Sequence, residues 1–71
     1  MHRERVSSEA LCSVGYDPDG RVLEIEFNGG RVYRYFDVPQ SLYAGLMTSP
    51  SLGEFFATAI RDAGFEFELA G

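Results

Sequence analysis

One cysteine, one histidine and no lysine occur in the 71 residues of this chain. Cys12, standing alone, can close no internal disulfide and supply no thiolate metal cluster. It suits a reducing compartment, where such a residue is usually a small buried hydrophobe. His2 lies in a polar N-terminal stretch, so a Ser-His or Cys-His catalytic device is not expected. No apolar run is long enough for a membrane span or a signal peptide, so a cytoplasmic location without a membrane partner is the expectation. The missing lysine leaves six cations that are all arginine. Arginine stacks on aromatic rings and holds phosphate bidentately, although GC-rich coding yields the same preference.

What is present suffices for one small folded domain. The chain is 45% hydrophobic and 14% aromatic, with six Phe and four Tyr to build a modest core. The formal net charge is −5, which argues against tight, nonspecific binding to nucleic acid. The charge is uneven. Arg21, Arg31 and Arg34 make the central stretch basic, whereas both flanks are acidic.

Residues 1–8 are polar and read as a flexible tail, leaving 9–71 as the domain. Residues 10–17 read as a strand. Asp17-Pro18-Asp19-Gly20 follows as a hairpin loop of three residues with a glycine bulge, Gly20 taking the positive φ. In residues 21–28, Leu23, Ile25 and Phe27 alternate with Glu24 and Glu26, the signature of a half-buried strand. Asn28-Gly29-Gly30 is a second turn, and residues 31–36 form a third strand.

Proline suits the first turn of a helix, so Val38-Pro39 opens one capped by Asp37 or Val38, with Leu42, Tyr43 and Leu46 inward. Ser51-Leu52-Gly53-Glu54 is a capping box for a second helix that runs to about residue 62 or 63. That helix buries Phe55 or Phe56, Ala59 and Ile60, and Gly64 stops it. Phe65-Glu66-Phe67-Glu68-Leu69 alternates as an edge strand would, its glutamates discouraging edge-to-edge association. The expected fold is α+β: a three-stranded antiparallel meander, two short helices, and a candidate C-terminal edge strand.

The turn at residues 28–30 decides the faces, because a one-residue slip reverses every side chain. A three-residue loop sets Ile25 opposite Tyr33, Leu23 opposite Tyr35 and Glu24 opposite Arg34. A two-residue loop instead sends both tyrosines to the glutamate face. Charge pairing across the strands favours the first.

Three constellations carry little chemistry on these grounds. Cys12 has no basic activator nearby in sequence. Glu24 and Glu26 share one strand face, which suits an acid/base pair or a cation site but is more simply a solvated surface. Asp17-Pro18-Asp19-Gly20 lacks the later ligands and the closing glutamate of a calcium loop. No catalytic residue, metal or cofactor is therefore expected. The remaining candidate is Tyr33-Arg34-Tyr35. Paired tyrosines on a sheet can stack bases, with Arg21, Arg31 and Arg34 near enough in sequence to hold phosphates. The competing reading packs both rings under the helices.

Val14-Gly15-Tyr16-Asp17, Leu23 to Phe27 with Gly30, Val32-Tyr33-Arg34-Tyr35, Val38-Pro39, Tyr43, Leu46, Ser51, Gly53, Phe56, Ile60 and Arg61 together resemble the KTSC domain. This small module is named for the C-terminus of some lysyl-tRNA synthetases and also stands alone in bacteria. The family's Tyr-x-Tyr motif falls on Tyr33 and Tyr35. The resemblance implies a non-catalytic binding module, with RNA suggested by the synthetase attachment. Arg61 would extend the patch if it faces the same way. The alternative partner is a protein, bound through the sheet or its edge.

Overall fold

A computed structural model describes residues 2–71. The strands are β1 (Arg3–Arg5), β2 (Leu11–Asp17), β3 (Val22–Phe27), β4 (Val32–Tyr35) and β5 (Phe67–Leu69). The helices α1 (Gln40–Thr48) and α2 (Leu52–Ala59) lie between β4 and β5, and a 3₁₀ turn (Arg61–Ala63) follows α2. The strands form one antiparallel sheet in the order β1-β2-β3-β4-β5. The α+β class therefore holds, with five strands instead of a meander of three. The C-terminal segment is the expected edge strand. The polar start of the chain adds a strand at the opposite edge instead of standing outside the domain.

The second hairpin has the three-residue loop. Ile25 faces Tyr33, Leu23 faces Tyr35, and Glu24 faces Arg34. Gly29 and Gly30 take φ of 101° and 93°, a region where side chains with a Cβ are strained. The first hairpin differs from expectation. Its register pairs Asp17 with Val22, so the loop has four residues, and the positive φ falls on Arg21 (56°), not on Gly20. The Asp17 carboxylate accepts the Asp19 amide at 3.0 Å, and a Cβ on Gly20 would lie 2.9 Å from Asp17 Oδ2. A side chain at position 20 would therefore require the Asp17 carboxylate to move.

One face of the sheet meets the helices. Leu11, Val14, Leu23, Ile25, Tyr35, Val38, Leu46, Phe56 and Ile60 make the core. Tyr16 stacks on Tyr43 with centroids 5.0 Å apart and donates from its hydroxyl to the Val38 carbonyl at 2.6 Å, joining β2 to the entry of α1. That entry is capped at Pro39 with no side-chain hydrogen bond. Neither Asp37 nor Val38 caps it, because Pro39 is itself extended, with ψ 148°, and the helix begins only at Gln40. Half of the capping box forms. Ser51 Oγ accepts the Glu54 amide at 3.4 Å, but Ser49 Oγ, not Glu54, takes the Ser51 amide at 3.2 Å. The second helix ends earlier than its spacing suggests, yielding to the 3₁₀ turn that Gly64 closes at φ 87°.

The other face carries an ordered row of charge. Glu24 is only 4% exposed, and it accepts from Arg3 Nη1 at 2.6 Å and from Arg34 Nε at 2.8 Å. Arg34 reaches on to Glu68 at 3.3 Å. Gly15 lies between Arg3 and Glu24 in the ladder. A Cβ there would stand 2.7 Å from the His2 carbonyl oxygen and 2.9 Å from Arg3 Cγ, so glycine lets the arginine cross β2. Burial pushes the Glu24 carboxyl up, but the hydrogen bonds and charges of Arg34 and Arg3 outweigh it. The net result holds Glu24 below its ordinary 4.5.

A carboxyl depressed on folding contributes stability above its unfolded value and loses it as pH falls through the folded one. Stability of the protein is therefore expected to fall below about pH 4.5. In Glu24→Gln, urea denaturation should show a loss of about 1–3 kcal/mol at neutral pH and a flatter acid limb; an unchanged limb would show that Glu24 is not the titrating group. Gly15→Ala should cost about 1–3 kcal/mol, with hydrogen-exchange protection lost first in β1.

Candidate aromatic and arginine groove

Beside the second hairpin turn the helices leave part of the apolar face open. A groove of about 400 Å³ lies there, lined by Phe27, Asn28, Gly29, Arg31, Tyr33, Tyr35, Phe56 and Arg61. The alternation of β4 brings Tyr33 and Tyr35 to this side, and their rings are 6.4 Å apart. Phe27 meets Tyr33 edge-on at 5.6 Å and Phe56 at 5.2 Å. Tyr35 meets Phe56 at 5.5 Å. Phe67 of β5 lies tilted over both tyrosines, at 5.9 and 5.5 Å.

The two tyrosines are not equivalent. Tyr35 is buried, at 4% exposure, and burial, then the neighbouring Tyr33, pushes its phenol above the ordinary value. Tyr33 is half-buried and packs on the core from outside. Phe67 remains 61% exposed. The cluster thus grades from core to surface, and Tyr33 is the tyrosine with a face available at the groove.

Four of the six residues singled out by sequence meet here: Tyr33, Tyr35, Arg31 and Arg61. Arg31 is exposed and makes no ion pair among the described residues. Arg61 is largely exposed and touches only its neighbour Asp62, at 3.3 Å. The other two arginines lie elsewhere. Arg34 falls between the tyrosines in sequence and so projects from the opposite face, where Glu24 and Glu68 hold it. Arg21 sits in the first hairpin, at the far end of β3, with its guanidinium 3.6 Å from Asp37 and its carbonyl accepting the Val38 amide at 2.9 Å.

Phe27 and Phe56 complete the groove, although sequence reasoning assigned them only to the core. The Phe27 signal was available, because the three-residue turn sets it opposite Arg31. Phe56 depends on how α2 lies across the sheet, which strand register does not reveal. No group of three or more His, Cys, Asp or Glu side chains is placed to hold a metal ion among the described residues.

Residues 7–65 match the family model of the KTSC domain. The chain belongs to the KTSC domain family. It is similar to the crystal structure of a KTSC domain protein from Yersinia pestis, with a TM-score of 0.91 and 39% identity over 99% of this chain and 97% of that one. An uncharacterised protein of Stutzerimonas stutzeri is 36% identical over 67 residues, 94% of each chain. A lysine–tRNA ligase of Nostoc punctiforme is 42% identical over 53 residues, which are 75% of this chain and 9% of the ligase. The expected Tyr-x-Tyr motif of the KTSC domain is thus the strand that floors the groove here.

Truncating the buried ring should far outweigh truncating the exposed one. Tyr35→Ala is expected to cost about 3–5 kcal/mol, much of what a domain this small has. Phe67→Ala should cost about 0.5–1.5 kcal/mol. Urea midpoints of the two variants check the order.

Proposed function

We propose that this protein is a non-catalytic binding module whose groove takes a short single-stranded RNA segment. The carrying observation is that Arg31, with no acidic partner among the described residues, lines an aromatic groove in a chain of net charge −5. Aromatic faces stack bases without demanding a sequence, at about 1–3 kcal/mol per base. Arginine supplies planar, charge-assisted donors to phosphate. In this reading Tyr33 and Phe27 offer the stacking surface, Tyr35 and Phe56 hold them in place, and Arg31 and Arg61 take flanking phosphates. Similarity to part of a lysine–tRNA ligase lends the reading context without supplying its mechanism. A reducing, cytoplasmic setting suits the unpaired Cys12.

A protein-interaction module that binds no nucleic acid is the second reading. The exposed Phe67 and Leu69 favour it.

Fluorescence anisotropy with labelled oligouridine distinguishes them. Two phosphate contacts on a single strand predict that the logarithm of affinity falls with the logarithm of salt at a slope of about −1.4. Arg31→Ala should lower the slope by about 0.7, while Arg5→Ala, on the opposite edge strand, leaves it unchanged. Absence of binding at low salt would sink the RNA reading and leave the second.

A further inference from the structure

β5 ends the sheet, and its outer edge has no neighbouring strand among the described residues. In an antiparallel ladder, alternate residues direct their backbone groups to the partner and the rest direct theirs away. The Glu66 carbonyl accepts the Phe36 amide at 2.8 Å, and Ala70 donates to the Val32 carbonyl at 2.6 Å. The Glu66 carbonyl and the Ala70 amide therefore face β4, with the Gly71 carbonyl taking the Val32 amide at 2.9 Å. By the same alternation the backbone of Glu68 faces β4, and the N–H and C=O groups of Phe67 and Leu69 point outward. The same two residues carry the exposed large hydrophobic side chains, at 61% and 63%. Phe67 stands in register with Tyr35, and Leu69 with Tyr33, so both side chains lie on the apolar face.

The charged face makes the same edge selective. Its row runs Arg3, Glu24, Arg34, Glu68, alternating in sign from one edge of the sheet towards the other. It stops at Glu68, which is half exposed and, among the described residues, pairs with Arg34 alone, at 3.3 Å. The next position in the row would favour a cation. A second copy of β5 would instead bring acidic residues to an edge that already carries Glu66 and Glu68, and like charges on adjacent strands are unfavourable.

We propose that the outer edge of β5 receives an extended segment of a partner protein in which apolar and basic residues alternate. That segment adds a sixth strand. Its backbone pairs with the outward groups of Phe67 and Leu69, its apolar side chains cover the Phe67 ring and the Leu69 side chain, and its lysine or arginine meets Glu68. Neither Phe67 nor Leu69 lines the groove at Arg31 and Arg61, although Phe67 packs on its two tyrosines; the backbone edge is open whether or not the groove takes RNA.

The test is titration of the intact, isotopically labelled protein with two blocked pentapeptides, Val-Lys-Val-Lys-Val and Val-Glu-Val-Glu-Val, followed by amide NMR and hydrogen exchange. The lysine peptide is expected to shift the amides of residues 66–70 and to protect those of Phe67 and Leu69, in a salt-sensitive manner. Glu68→Lys should weaken the lysine peptide by about tenfold and favour the glutamate peptide. Leu69→Pro removes one outward donor without a ladder bond to β4, and should weaken the lysine peptide in a protein whose remaining spectrum is unchanged. Equal binding of the two peptides, shifts confined to the groove, no shift at millimolar peptide, or a homodimer through β5 seen by sedimentation would each overturn the proposal.

Discussion

The contact between Glu24 and Arg34 decides which residues of this sheet see the core and which see water. The two side chains face each other across β3 and β4, 2.8 Å apart. A slip of one residue would separate them, turn Arg34 towards Leu23 and Ile25, and carry Tyr33 and Tyr35 to the opposite side. A carboxylate as buried as Glu24 costs several kcal/mol to desolvate, which two arginines in direct contact offset. Both arginines keep part of their surface in water, so the pair's contribution lies as much in excluding the slipped register as in added stability. Arg3 extends the same hub across Gly15 to β1, and Glu68 extends it to β5.

With the register set, coverage becomes the limiting quantity. Five strands spaced about 4.8 Å apart present a face roughly 20 Å wide. Helices of nine and eight residues are about 13.5 and 12 Å long. They cover the centre, where Leu46, Phe56 and Ile60 sit, and leave the β5 side and the second turn exposed. The aromatic cluster fills that margin. Rings suit it because they bury large areas on one face while tolerating water on the other, so the gradient from Tyr35 through Tyr33 to Phe67 follows from too little helix over too much sheet.

The sequence disclosed those parts of the fold that depend on neighbours in the chain. Alternation in β3, the double glycine at residues 29 and 30, and charge pairing between Glu24 and Arg34 were together enough for the β3–β4 register, and hence for both tyrosine positions. β1 was illegible because Arg-Glu-Arg shows no apolar alternation; its reason for pairing is the buried carboxylate of Glu24, two strands away. Arg21 looked like part of the basic patch because it is near in sequence, but an antiparallel hairpin places it at the far end of β3. Arg61 joined the groove through the 3₁₀ turn that replaces the last turn of α2, a geometry that helical periodicity does not contain. The Glu54 half of the capping box is replaced by Ser49, whose Oγ accepts the Ser51 amide.

The same register also divides the charge. Arg31 and Arg61 border an aromatic surface whose tyrosines come from β4, whereas Glu66 and Glu68 border the backbone edge of β5, the strand that pairs with β4. At physiological salt, fields from exposed charges decay over about 8 Å. Beyond that range an approaching polyanion meets the net charge of −5 and gains no steering, so its association with the groove would rest on contact with the rings and the two guanidinium groups. A basic strand approaching β5 meets a net charge and a local edge of the same attractive sign within that range. The proposed ligands of the groove and of the edge would therefore differ in kinetic character: an anion at the groove would depend on short-range fit, and a cation at the edge would gain electrostatic assistance that weakens with salt.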